Sequence, residues 1–545
     1  MPQWLRTARR RLRRLDPNDD PTAEPLSLIA VLAVLVLSGV STYFFLRWKI
    51  QPMQDLGHHV AMTAVVTDYS RAGSIYPAIY KPFDLLNTNS LLYLVAGYTG
   101  KIIGPSWAFR LWASSYLATV PLANLYALRV FGRSAWGAVM AIPLAYNMSF
   151  VFGFTNFLFA APFAVLAIPL FYRMMVVPSW KRIIPVAVVM TLLFLAHVHV
   201  FLWTGVMLFT MTIVAFIVAI RRQLLGPPGP QPARLALFAM LSVLPAMALF
   251  ARWMWRSGQP TPADELSLIG RQTVDWATFR ASIPGPGQLL GNVYGTMSIV
   301  KGDEHASFLV FALCLVMVCV AIARYHTWKR PPVLELACVM TFVSYFFLPE
   351  NAGGQAVIGS RQIGLAMWFA GAFYVPVPAR VSLIGRWFVI AASVGLTVFH
   401  LSYWSKLLWR FEKEEAVGLE EVLAAAPPRK KLHYVNNLPQ SDIFPLNTFW
   451  HVEKWYMIDK LGQCNENPAW GAMNSVRYRK SYDFHRPTNH ASSWVSDSEI
   501  WDNFDIILTH RFTPTAAELA TANERGELIR SKGTWQLWRS KKRPQ

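Results

Sequence analysis

Eight polar residues carry most of the chemistry this sequence offers: Asp55, His58, His59, Asn156, His197, His199, Glu350 and Arg361. They lie far apart in the chain, and each falls at or just past the end of an apolar stretch. Asp55 sits in the string Gln54-Asp55-Leu56-Gly57-His58-His59. A carboxylate partly desolvated near a membrane gains basicity, which suits proton abstraction. Beside two imidazoles it is equally suited to hold a divalent cation. The competing reading is a helix cap, because Asp before a helix satisfies free backbone N–H groups.

His197 and His199 in LAHVHVFL stand two apart, on different sides of any continuous helix. They can act together only where the helix ends or unwinds. Ionisable side chains in membrane segments are costly and tend to mark sites or pathways. Arg361 opens the stretch after Leu348-Pro349-Glu350-Asn351 and the flexible Gly353-Gly354. A guanidinium grips phosphate through two parallel bonds; the alternative is a Glu350–Arg361 ion pair closing the loop. Asn156, in Gly153-Phe154-Thr155-Asn156-Phe157, offers an amide to a headgroup or sugar, or else caps a helix. Asp264, Glu265, Asp303, Glu304 and His305 are further candidates, better read as a solvated loop.

These residues need elements to bring them together, and composition says which. The 545 residues are 54% hydrophobic and 15% charged, with mean hydropathy +0.31. Soluble domains carry about 25% charged residues. Runs such as Pro25 to Phe45, Ile183 to Val200 and Phe201 to Ile220 approach the roughly 20 residues a bilayer requires. The expected fold is therefore an all-α polytopic membrane protein, since backbone groups in lipid must bond within their own segment.

The net charge of +20 follows topology rather than nucleic acid, which is not an expected partner. The arginine-rich run RTARRRLRR precedes the first apolar segment and reads as a cytoplasmic anchor. No cleavage site marks a removable signal peptide. Residues 90–104 are apolar but short, and are expected to lie at the interface or re-enter rather than cross. On that choice the loops 129–135, 173–182, 221–234, 324–331 and 379–386 face the cytoplasm. Each holds Lys or Arg and no Asp or Glu. The opposite short loops, 150–156, 197–200 and 349–361, hold a single Lys or Arg, Arg361. About 11 crossings result, with all eight site candidates on the outer face.

Three regions are expected: a basic tail at 1–24, a transmembrane part at 25–405 with outer loops 48–106 and 252–305, and an extracytoplasmic α/β domain at 410–545. In the last, strand-like runs at 432–438, 504–510 and 534–540 alternate with helical patterns at 447–461 and 514–530. Four cysteines without CxxC or zinc spacing give a thiol mechanism little support. There is no Walker loop and no dinucleotide fingerprint.

An outward Asp just after the first membrane helix, interfacial helices, about 11 crossings and an outer C-terminal domain resemble the C-superfamily glycosyltransferases (GT-C). The strings that carry the resemblance are DLGHH at 55–59, FGFTNFLFAAPFAVLAI at 152–168, LAHVHV at 195–200 and IGSRQIGLAMW at 358–368. The resemblance spans roughly residues 25 to 405. It implies transfer of a sugar from a polyprenyl-phosphate carrier to a lipid, glycan or protein acceptor at a bacterial cytoplasmic membrane. It maps the family's first-loop carboxylate, base or metal ligand, onto Asp55, and its phosphate-gripping cation onto Arg361. Where many members have two adjacent acids in this loop, Asp55 is followed by Leu56, and a degenerate, non-catalytic relative is one consequence. The competing expectations are a transporter or flippase for a lipid-linked or polar solute, with His and Arg on its path, and a non-enzymatic scaffold protein whose C-terminal domain binds partners. No internal duplication of the kind transporters show is evident.

Overall fold

The computed structural model describes residues 28–131, 133, 135–225, 231–257, 287, 301, 333–348, 358–370, 383–436, 438–464, 469, 475–479 and 494–541. Helices occupy the chain to Arg410, and a five-stranded sheet with short helices follows. The helices are α1 (Leu28–Arg47), α2 (Leu56–Asp68), α3 (Leu91–Ile103), α4 (Pro105–Val130), α5 (Gly137–Leu144), α6 (Thr155–Val176), α7 (Trp180–Ala196), α8 (Val198–Leu225), α9 (Pro232–Ser257), α10 (Val333–Tyr345), α11 (Ile358–Ala370) and α12 (Leu383–Arg410), with short turns between some of them.

Among the described residues four helices are long and apolar enough to cross a bilayer: Leu28–Arg47, Thr155–Val176, Val198–Arg221 and Pro232–Arg256. The chain is an integral membrane protein. The figure of about 11 crossings reaches into residues outside the described set, and the described helices alone do not supply it. Helices α4 and α12 are longer, but Arg110 and Asn124 stud the first, and Lys406 and Arg410 the second. The 90–104 segment forms α3, whose 13 residues rise roughly 20 Å at about 1.5 Å each. That is short of the roughly 30 Å hydrocarbon core. Gly104 turns the chain directly into α4, against which α3 packs.

The sheet has the order β2-β1-β3-β5-β4, from β1 (Lys431–Asn436), β2 (Gln463–Cys464), β3 (Ile506–His510), β4 (Gly526–Lys532) and β5 (Trp535–Ser540). β1 runs parallel to β2 and β3, whereas β5 is antiparallel to β3 and β4. Tyr434, Leu508 and Leu537 stand opposite one another across the centre, and all of β3 is buried. The expected strands overlap β1, β3 and β5. The helical pattern at 514–530 holds only over Ala516–Arg525, where Thr515 and Glu518 form a reciprocal capping box. Residues 526–532 instead pair with β5, a case of tertiary pairing overriding local pattern. The pattern at 447–461 contracts to a 3-10 turn (Val452–Lys454) and the helix Trp455–Lys460.

One continuous hydrophobic core joins the helices to the sheet. Trp404 of α12 stacks on Phe444 at 5.9 Å, and Phe109 of α4 meets Trp455 edge-on at 6.2 Å. Polar stitches reinforce this seam. The Tyr76 hydroxyl donates to the Met457 carbonyl at 3.0 Å, and Lys49 pairs with Asp459 at 2.5 Å. The first loop is thereby held between the membrane helices and the C-terminal sheet.

Candidate functional site

Asp55 occupies the N-cap position of α2, yet its side chain makes no cap hydrogen bond. Capping therefore does not account for it. Its backbone is held from the other side by the short helix Met148–Phe152: Gln54 N–H donates to the Val151 carbonyl at 3.0 Å, and Asp55 N–H to that of Phe152 at 2.9 Å. Gly153 follows with φ +76°, and a Cβ there would sit 2.9 Å from Leu56 N and 3.0 Å from Asp55 N. The segment 150–153 is a backbone cradle that fixes where the carboxylate points. Burial pushes the Asp55 carboxyl up to about 6, while the Arg361 charge and a hydrogen bond with Gln54 pull the other way.

His58 and His59 leave the first turn of α2 in different directions. The His58 ring lies against that of His451, from the sheet half of the chain, with centroids 3.5 Å apart. Single ligand atoms of Asp55, His58 and His451 all lie within 4.8 Å of one another. Burial and the neighbouring His451 and Lys454 hold His58 well below the usual imidazole range. Both imidazoles are thus in the neutral form that binds metals. His59 Nδ1 meets the Tyr93 hydroxyl at 2.7 Å, and that hydroxyl accepts from Asn156 Nδ2 at 3.0 Å. Burial, then Arg361, bring His59 down to about 3, with a hydrogen bond to the Gly153 backbone opposing. With Nδ1 accepting from the Tyr93 hydroxyl, the single N–H of neutral His59 is at Nε2 and serves the Gly153 backbone bond.

The second wall comes from a break in the membrane helices. His197 alone is extended (φ −164°, ψ 118°) between α7 and α8. His197 N–H still donates to the Leu193 carbonyl at 2.9 Å, and Phe201 N–H to that of His197 at 3.0 Å. Backbone groups thus stay satisfied across the break, as lipid surroundings require. The break lets both imidazoles reach α11: Arg361 Nη1 is 3.4 Å from His197 Nε2, and Gln362 Nε2 is 3.2 Å from His199 Nε2. The Arg361 guanidinium lies 3.9 Å above the Phe154 ring and 5.9 Å from that of Phe157. Such stacking orients a cation without neutralising it.

Seven of the eight expected residues (Asp55, His58, His59, Asn156, His197, His199 and Arg361) therefore form one neighbourhood. Glu350, with its suggested pairing to Arg361, lies outside the described residues, as do Asp264, Glu265, Asp303, Glu304 and His305. Sequence reading missed His451 and Tyr93. No motif marks His451 in WHVEKW, because its partner stands 393 positions earlier (451 − 58). Tyr93 sits in the short apolar stretch that becomes α3.

Over nearly its whole length the chain superposes on ArnT from Cupriavidus metallidurans bound to undecaprenyl phosphate. The TM-score is 0.54 at 13% identity, over 95% of this chain and 99% of that one. The fold is GT-C. The apo form of the same protein gives TM-score 0.53 at 13% identity, over 94% and 98% of the two chains. The Archaeoglobus fulgidus oligosaccharyltransferase, solved with zinc and sulfate, gives 0.43 at 13% identity, over 90% of this chain and 69% of that one. No protein-family model matches the sequence, and no curated protein does. The likeness therefore lies in the fold, not in sequence.

Proposed function

We propose that this protein is a membrane glycosyltransferase that moves a sugar from a polyprenyl-phosphate carrier to a lipid, glycan or protein acceptor. One observation carries the reading most. A first-loop carboxylate raised to about 6 shares a site with a ring-stacked arginine from α11, within a GT-C fold. Asp55 takes the proton of the acceptor hydroxyl as its oxygen bonds to the sugar anomeric carbon. The bond from that carbon to the phosphate oxygen breaks, and the carrier leaves as polyprenyl phosphate. Arg361 holds the charge that gathers on the leaving phosphate. The carrier tail lies along the apolar, outward-facing flanks of the membrane helices, where Phe209 and Ile184 are exposed. The site faces away from the cytoplasm of a bacterial inner membrane, with the basic N-terminus inside and the sheet region outside.

Purified protein given a polyprenyl-phosphate sugar and a panel of acceptors tests this. Asp55→Asn is expected to lower turnover by about 10²–10⁴, as loss of a general base does. Arg361→Ala is expected to cost about 10²–10³. Both variants should retain wild-type circular dichroism. Wild-type protein that transfers from no such donor, yet moves lipid-linked sugar across vesicles, would replace this reading with the flippase one.

A further inference from the structure

The grouping of Asp55, His58 and His451 has features that sugar transfer by Asp55 and Arg361 alone leaves unexplained. His451 comes from the sheet half of the chain and is 6% exposed, while His58 Nδ1 is buried without a hydrogen-bond partner among the described residues. The two halves also approach more closely here than side chains normally allow. A Cβ on Gly57 would sit 1.8 Å from the His451 carbonyl oxygen and 2.7 Å from its carbon. Only glycine lets that backbone settle on the first turn of α2 and bring the rings together. Just beyond His451, Lys454 is fully buried, and Glu453 pairs with it at 2.6 Å. That partner offsets one of the two cations, Lys454 and Arg361, whose charge reaches the grouping.

We infer that Asp55, His58 and His451 bind one divalent cation of the zinc class, so that the C-terminal region supplies a ligand to the membrane site. Two imidazoles and one carboxylate are a donor set that zinc takes in sites keeping a fourth position open. Ligands about 2.0–2.1 Å from a tetrahedral ion stand about 3.4 Å apart. The 4.8 Å limit on the present separations therefore leaves at most a modest closure of side chains. A carboxylate has two oxygens, so ligation through one leaves the other for an acceptor proton. When bound, the cation would supply Lewis acidity next to the acceptor. The chain's own part is to join α2 to the segment bearing His451 across that ion. This inference deepens the transferase reading, and the functional role of the ion rests on it, but binding itself does not.

The test measures binding with no donor or acceptor sugar present. Full-length protein in detergent is stripped with chelator and titrated with zinc chloride, and metal is counted by mass spectrometry after desalting. Wild type is expected to retain one zinc per chain and to unfold at a higher temperature with zinc than without. His451→Phe keeps a ring against His58 but offers no ligand. Its affinity should fall at least about 100-fold, beyond the 10–100-fold typical of losing an outer-shell partner. His451→Cys restores a ligand and should restore binding. Equal zinc affinity in wild type and His451→Phe, or no zinc retained by wild type, overturns the inference. A protein that binds zinc but transfers no sugar would refute the transferase reading alone.

Discussion

Gly153→Ala is the sharpest probe of how Asp55 is held, because Gly104 provides a matched control. Both glycines have positive φ, +76° and +88°. An alanine at such an angle costs roughly 1–2 kcal/mol from its own backbone. At Gly104 nothing lies within 4 Å of the added carbon, so that cost is the whole effect. At Gly153 the carbon meets the backbone nitrogens of Leu56 and Asp55 at 2.9 and 3.0 Å, and backbone yields less readily than a side-chain tip. Relief means moving residues 54–56 away from the short helix. That strains the two hydrogen bonds from Gln54 and Asp55, each worth about 0.5–1.5 kcal/mol net. The sum for Gly153→Ala is about 2–5 kcal/mol, against about 1–2 kcal/mol for Gly104→Ala. Thermal unfolding in one detergent, followed by intrinsic fluorescence, reads the difference. Sugar transfer should fall at least tenfold in Gly153→Ala and hardly at all in Gly104→Ala. Equal stability and equal activity in the two variants would refute the cradle.

Two other outcomes follow from the same geometry. Asp55 must be ionised to act as base, so in chelator-stripped protein kcat/KM should be level above pH 6 and fall tenfold per unit below it. Removing the Arg361 charge with Arg361→Gln should move that limb to higher pH, because the charge holds Asp55 down; an unmoved limb would assign it to another group. Tyr93→Phe strands His59 Nδ1 and Asn156 Nδ2, at about 1–3 kcal/mol for each buried orphan. Tyr93→Phe with Asn156→Leu should be less destabilised than the sum of the single variants, and strict additivity would show that Tyr93 and Asn156 are not linked.

The helical class and most of the site were legible in the sequence because both rest on local signals. Apolar run length reports membrane helices, and a polar side chain at the end of such a run is conspicuous. The histidine pair was legible only conditionally. Two residues apart, they face one site only if the helix ends between α7 and α8, and neither proline nor glycine marks that end in LAHVHV. Their partners, Arg361 and Gln362, lie more than 160 positions away, beyond any local pattern. His451 was invisible for the same reason. The segment 526–532 was misread because its pairing with β5, not its own pattern, decides its conformation.

The contact between His58 and His451 also has a consequence in time. Asp55 and His58 leave the ribosome with the first membrane helix, whereas His451 follows 393 residues later (451 − 58). At about 5–20 residues per second, that gap is roughly 20–80 seconds of synthesis. A chain interrupted anywhere in that interval already carries Asp55 but not the residue that closes over it. The contact thus reports completion: the neighbourhood of Asp55 reaches its final form only once the helices between have been made and the sheet has docked.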